Sequence, residues 1–147
     1  MSLLLEIITP ERLVYRDDVE FVACPTSDGE IGILPHHAPL LSSLGYGELR
    51  IRKNGEDEEF FAIAGGFVQV LPDRVVVMAE TADLASEIDL EVAEEARREA
   101  ERALEAGFVE PADLARARVN LRKALLRIRV AERRRRPPRN TFGRDGG

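Results

Sequence analysis

His36 and His37 are the only histidines of the chain and stand side by side between Pro35 and Pro39. A metal site needs three or four convergent donors, and no Cys, further His or paired carboxylate is close in sequence to complete one. Their expected role is to shape a loop. The single cysteine, Cys24, excludes an intrachain disulfide and a Cys-rich metal site. It sits in a predicted strand and is expected to pack as a small apolar side chain. No Ser/His/Asp order or activated Cys environment can be assembled. Gly65-Gly66-Phe67 invites a phosphate-loop reading, but it lacks the Lys-Ser/Thr of a P-loop and does not lead from a strand into a helix. The run Arg133–Arg136 could bind nucleic acid or an anionic membrane surface. No aromatic stacking residue lies beside it, and cations at a helix C-terminus are favoured by the helix dipole alone.

Two kinds of element must position these residues. Up to residue 80 the apolar residues fall in short runs rich in β-branched and aromatic types: Leu3–Ile8, Val19–Ala23, Leu49–Arg52, Phe60–Ala64, Phe67–Leu71 and Val75–Met78. Turn signals separate them, and Asn54-Gly55 is the strongest, because a tight hairpin turn wants positive φ at both central residues. Gly65-Gly66 reads as a bulge or bend inside an apolar stretch. Several short strands at such spacing predict a sandwich or barrel-like antiparallel domain over residues 1–84.

From residue 86 the period becomes helical. Asp89 suits an N-cap, with Glu91, Glu94 and Glu95 in the first turns. Ala93, Ala96, Ala100 and Ala103 recur at helical spacing, and Gly107 is placed to stop the helix. Pro111 can open a second helix, along which Leu114, Ala117, Leu121, Ala124, Ile128 and Ala131 trace a narrow 3-4-3-4 seam. Pro137-Pro138 ends it. The short connection predicts an antiparallel helical hairpin over residues 85–136, followed by a flexible tail, 137–147. Alanine seams bring helix axes close but bury little, about 0.8 kcal/mol per methyl, so the hairpin is expected to be stable yet detachable. Extended, a second helix of about 26 residues would reach about 40 Å.

The 147 residues carry a net charge of −6, and 44% are hydrophobic, enough to exclude a wholly disordered chain. No apolar run approaches the roughly 20 residues that span a bilayer, and the N-terminus lacks the features of a signal peptide. The chain is therefore expected to be soluble and intracellular. The mean charge conceals three blocks: −8 over residues 1–80, −6 over 81–107 and +8 over 108–147. A sign change this sharp near Gly107 marks a boundary and points to a charged partner.

The stretch from Asp28 to Leu41, Asp-Gly-Glu-Ile-Gly-Ile-Leu-Pro-His-His-Ala-Pro-Leu-Leu, closely resembles the signature loop of the ε subunit of bacterial F-type ATP synthase. Ala64–Val70 and Met78–Ala82 resemble the same family's further β-domain signatures, and the resemblance runs from about residue 3 to residue 132. It implies an α+β fold, an N-terminal antiparallel β-sandwich followed by a C-terminal antiparallel α-helical hairpin. It also implies a non-catalytic subunit of the central stalk, peripheral on the cytoplasmic face of the bacterial cell membrane and touching the membrane only through the complex. The implied partners are the γ subunit, the c-ring and, when the helices extend, the α/β catalytic subunits, where the hairpin restrains ATP hydrolysis. The implied c-ring contact comprises Glu30, Ile31, Gly32, Ile33, Leu34, Pro35, His36 and His37. No cofactor is required and no nucleic acid is expected. The alternative is a nucleic-acid-binding module built on the basic second helix.

Some members of that family hold ATP on the folded hairpin through an Ile/Leu-Asp-x-x-Arg-Ala motif. The corresponding stretch here, Ile88 to Ala93, has Val92 where the arginine should stand and Glu91 beside it. Losing a cation while gaining an anion works against a nucleotide phosphate. Asp83, Ile88, Asp89, Ala93, Lys123 and Arg127 match the remaining family positions, so ATP is expected only as a weak regulatory ligand.

Overall fold

A computed structural model describes residues 2–55, 57–107 and 110–135. Arg136 and the expected tail at 137–147, with the side chains of Arg134 and Arg135, lie outside the described residues. Eight strands come first: β1 (Leu3–Ile8), β2 (Leu13–Val19), β3 (Phe21–Thr26), β4 (Gly29–Ile33), β5 (Leu40–Ser43), β6 (Tyr46–Lys53), β7 (Asp57–Leu71) and β8 (Arg74–Leu84). A 3-10 turn, Ala85–Glu87, leads into α1 (Leu90–Ala106) and α2 (Pro111–Arg135).

The strands hydrogen-bond in the order β2-β1-β8-β7-β6-β3-β4, with β5 also on β7. All pairs are antiparallel except β1 with β8, which run parallel. β1 forms a hairpin with β2 on one side, while β8 on its other side is far away in sequence, so no hairpin constraint sets the direction of that second pairing. The expected β6–β7 hairpin is present, with Asn54 at φ 49° and Gly55 at φ 82°.

Gly65-Gly66 is the point where one continuous ladder becomes two layers. Residues Asp57–Ala64 of β7 pair with β6, and Phe67–Val70 pair with β5. Pairing with β8 keeps its register across the glycines, from Ala64↔Thr81 to Gly66↔Ala79, so the site is a bend and not an inserted residue. The inward side changes there: Phe61 and Ile63 face the core before the glycines, Val68 and Val70 after them. Both glycines have positive φ, 73° and 113°, and a Cβ on Gly66 would fall 2.0 Å from the Met78 carbonyl oxygen. Gly66→Ala is therefore expected to destabilise the domain by about 3 kcal/mol or more, combining backbone strain and overpacking. Gly107→Ala meets no atom within 4 Å among the described residues, so only the backbone strain of φ 82° and ψ 165° remains, about 1–3 kcal/mol. Urea midpoints at unchanged m-value would measure both.

The main core lies between the layers. Leu3, Leu5 and Ile7 of β1 alternate inward with Val75 and Val77 of β8, facing Leu49 and Ile51 of β6 and Phe61 and Ile63 of β7. Cys24 is fully buried among them, and burial pushes its thiol up to about 12.

Asp89 caps α1, its carboxylate accepting from the Glu91 and Val92 amides at 3.0 and 3.3 Å. Ala93 and Ala100 of α1 and Ala117, Ala124 and Ala131 of α2 are buried, as expected of the alanine seam. The helix hairpin does not stand free. Leu126 and Val130, outside that seam, form a second cluster with Ala62 and Ala85, flanked by Tyr46, Phe60 and Ile88. Through it α2 lies on the outer face of the β6–β7 layer, while α1 packs chiefly on α2.

Candidate functional site

Three surfaces can engage partners. The first is the loop from β4 to β5. Its near end is held by Ile33, fully buried in the core, and by Ile31, half-buried against it. Ile33 thus anchors the loop and lies beneath its outer surface. Glu30, Gly32, Leu34 and His36 are exposed, while Pro35 and His37 are half-buried. His36 takes a left-handed φ of 69° and its amide donates to the Pro72 carbonyl at 2.7 Å. His37 donates its amide to the Leu34 carbonyl at 3.2 Å, and its Nδ1 lies 2.6 Å from the Ala38 carbonyl oxygen. The histidine pair thus stiffens a turn against the β7–β8 connection, so the loop meets a partner with little left to order.

The second surface is an apolar row across the outer face of the other layer. Leu13 pairs with Ile8, Ile8 with Met78, and Met78 with Phe67, so the four side chains are direct neighbours on β2, β1, β8 and β7. They are 49%, 36%, 42% and 55% exposed. The adjacent row is mostly polar, with Arg16 and Glu6 in an ion pair at 3.5 Å and Gln69 near its end. An apolar strip with a polar margin on a monomer's surface marks a docking site. The sequence reading missed it, although a signal was there. Ile8 and Met78 extend apolar runs past the alternation that one buried face requires, the mark of strands covered on both sides.

The third surface is the docked hairpin. Arg122 of α2 lies over the Tyr46 ring with its Cζ 4.2 Å from the centroid, and Arg133 lies 5.0 Å over Phe60 with its Nε 3.4 Å from Glu48 Oε1. Arg127 Nε donates to Asp83 Oδ2 at 2.9 Å. Between the two helices is a cleft of about 240 Å³, floored by alanines of both and rimmed by Glu99, Asn120, Lys123 and Arg127.

Comparison with known proteins bears on these surfaces. Residues 2–85 match the ATP synthase delta/epsilon chain beta-sandwich domain, and residues 86–132 match the long alpha-helix domain of the same chain. The chain belongs to the ATP synthase delta/epsilon chain family. The ATP synthase epsilon chain of Chloroflexus aggregans is 49% identical over 132 residues, covering 90% of this chain and 94% of that one. That of Dehalococcoides mccartyi is 44% identical, covering 93% and 97%. Among solved structures, a chain of the Euglena gracilis mitochondrial ATP synthase matches with a TM-score of 0.69 at 23% identity, over 82% of this chain and 76% of that one. A Tetrahymena thermophila mitochondrial ATP synthase central stalk/c-ring structure contains a chain matching at 0.56 and 16% identity, over 89% and 97%. Both likenesses concern the fold.

In this member of the delta/epsilon family the positions expected to hold ATP make contacts within the chain. Asp83 is paired with Arg127, Asp89 caps α1, Ile88 is half-buried in the α2 docking cluster, and Ala93 is buried against α2. Val92 is 64% exposed. Only Lys123 and Arg127 of the six line the interhelical cleft, where Glu99 opposes them with negative charge. Among the described residues no helix is long and apolar enough to cross a membrane.

Proposed function

We propose that this chain is a non-catalytic rotor subunit of the ATP synthase central stalk. The γ subunit covers the Leu13–Ile8–Met78–Phe67 row, and the c-ring meets the loop of Glu30, Ile31, Gly32, Ile33, Leu34, Pro35, His36 and His37, with Ile33 anchoring it from below. The sandwich thereby passes ion-driven ring rotation to γ, and through γ to ATP synthesis. The hairpin restrains ATP hydrolysis when it leaves the sandwich and presents its basic second helix to acidic surface on the α/β subunits. The chain then works at the cytoplasmic face of the bacterial membrane as a peripheral component. The observation that carries this reading is the division of labour in the packing. One outer face of the sandwich keeps an exposed apolar row, while the other holds α2 through one small cluster. Copurification with γ, before and after charge is placed in that row, is the test.

ATP binding enters only as a weak contribution. The cleft is small, Val92 supplies no cation, and Asp83 competes for Arg127. Titration of the isolated chain is expected to show no saturation at micromolar ATP. Micromolar binding that disappears in Asp89→Ala or Arg127→Ala would assign the cleft a nucleotide after all.

A further inference from the structure

Arg122, Arg127 and Arg133 touch the sandwich in three different ways: on a ring, on a carboxylate, and on both at once. They surround Leu126 and Val130, the two α2 side chains in the second apolar cluster. A guanidinium is flat, stacks on an aromatic face and still donates from its edge, whereas an ammonium is a compact point charge. Arg133 uses both properties, lying over Phe60 while its Nε faces Glu48. Charge alone is a poor clamp here. Burial pushes the Glu48 carboxyl above its ordinary range despite Arg133, Arg129 and Arg50 nearby, with Glu30 adding to the rise. Desolvation of this half-buried acid outweighs the attraction of three cations.

We propose that Arg122 and Arg133, with Arg127 paired to Asp83 between them, form a latch whose hold on α2 depends on the guanidinium shape of the two stacked arginines, so that they set the fraction of time the hairpin lies docked. Its consequence for hydrolysis rests on the reading above: released, the same arginines join the basic face offered to an acidic partner. Lysine at Arg122 and Arg133 keeps that charge but loses the stacking. Such a variant undocks more often while remaining as basic as before.

The test uses the full chain carrying Val130→Cys, because Val130 is fully buried under the docked helix. Thiol labelling there reports transient undocking. Cys24, buried in the main core with its thiol pushed up to about 12, reports unfolding of the sandwich in the same sample. Adding Arg122→Lys and Arg133→Lys is expected to speed labelling at position 130 about tenfold, with Cys24 unchanged. An unchanged rate at position 130 would overturn the latch, as would a parallel rise at Cys24. Acceleration only in an Arg122→Gln/Arg133→Gln chain would also overturn it, by showing that charge suffices. Faster labelling with unaltered hydrolysis by the assembled enzyme would leave the latch standing and remove the regulatory role proposed for the hairpin.

Discussion

A chain ending at Ala85 is expected to fold, to assemble with γ and the c-ring, and to leave the assembled enzyme hydrolysing ATP faster than with the full chain. Folding follows from where the core lies. Every residue of the main cluster falls between Leu3 and Ala82, and none belongs to a helix. Removing the helices uncovers Tyr46, Phe60 and Ala62 and forfeits the burial of Leu126 and Val130. That burial amounts to about 3–6 kcal/mol before the entropy of ordering two helices is set against it. The truncated domain should therefore lose little stability, though it gains an apolar patch and a tendency to self-associate. Assembly follows because the apolar row and the β4–β5 loop are both untouched. Hydrolysis is expected to rise because the element proposed to restrain it is gone. Copurification and ATPase assays on the reconstituted enzyme measure the two effects separately. Failure to assemble would place a partner contact on the helices and end the division of labour proposed here.

Local chemistry made much of this architecture legible. Asp89 as a cap, Gly107 as a stop, Pro111 as a helix opener and Asn54-Gly55 as a hairpin turn are each decided within a few residues, and each is found where expected. Elements decided by distant partners were harder. β2 carries Arg16, Asp17 and Asp18, and β4 contains two glycines, yet both are strands because neighbouring strands offer free ladder positions. Gly65-Gly66 was visible as an interruption, but its meaning depends on β5 and β6 ending on either side of it. The same limit applied to the surfaces. The loop was readable as a motif, whereas the inward turn of Ile33 required the strand's register. The docking of α2 was hidden because the alanine seam accounts for only one of its two packed faces. Leu126 and Val130 lie outside the 3-4-3-4 pattern and had no evident target until β6 and β7 supplied one. The apolar row was the least legible, since its four members come from four strands and touch only after pairing.

Placing a carboxylate in that row should produce the largest effect on partner binding. Phe67→Asp is expected to weaken the γ complex at least about a hundredfold, and Met78→Asp nearly as much. Aromatic anchors in an interface contribute about 2 kcal/mol or more each when truncated. An unpaired carboxylate trapped beneath the partner adds its own desolvation cost. In the free chain the same change should be nearly silent, within about 0.5 kcal/mol, because both side chains point outward and are half exposed. That contrast makes the test selective. Leu125→Asp offers a matched control: Leu125 is 47% exposed on α2, away from the row, so its substitution should change neither γ affinity nor the urea midpoint. If Phe67→Asp bound γ as tightly as the unaltered chain, with its urea midpoint unchanged, the row would not be the γ surface. The exposed loop and edge strands would then have to hold γ unaided. They carry Leu34, Leu40 and Leu41 as exposed apolar side chains, a group divided between a turn and an edge strand, and γ would then be sought there.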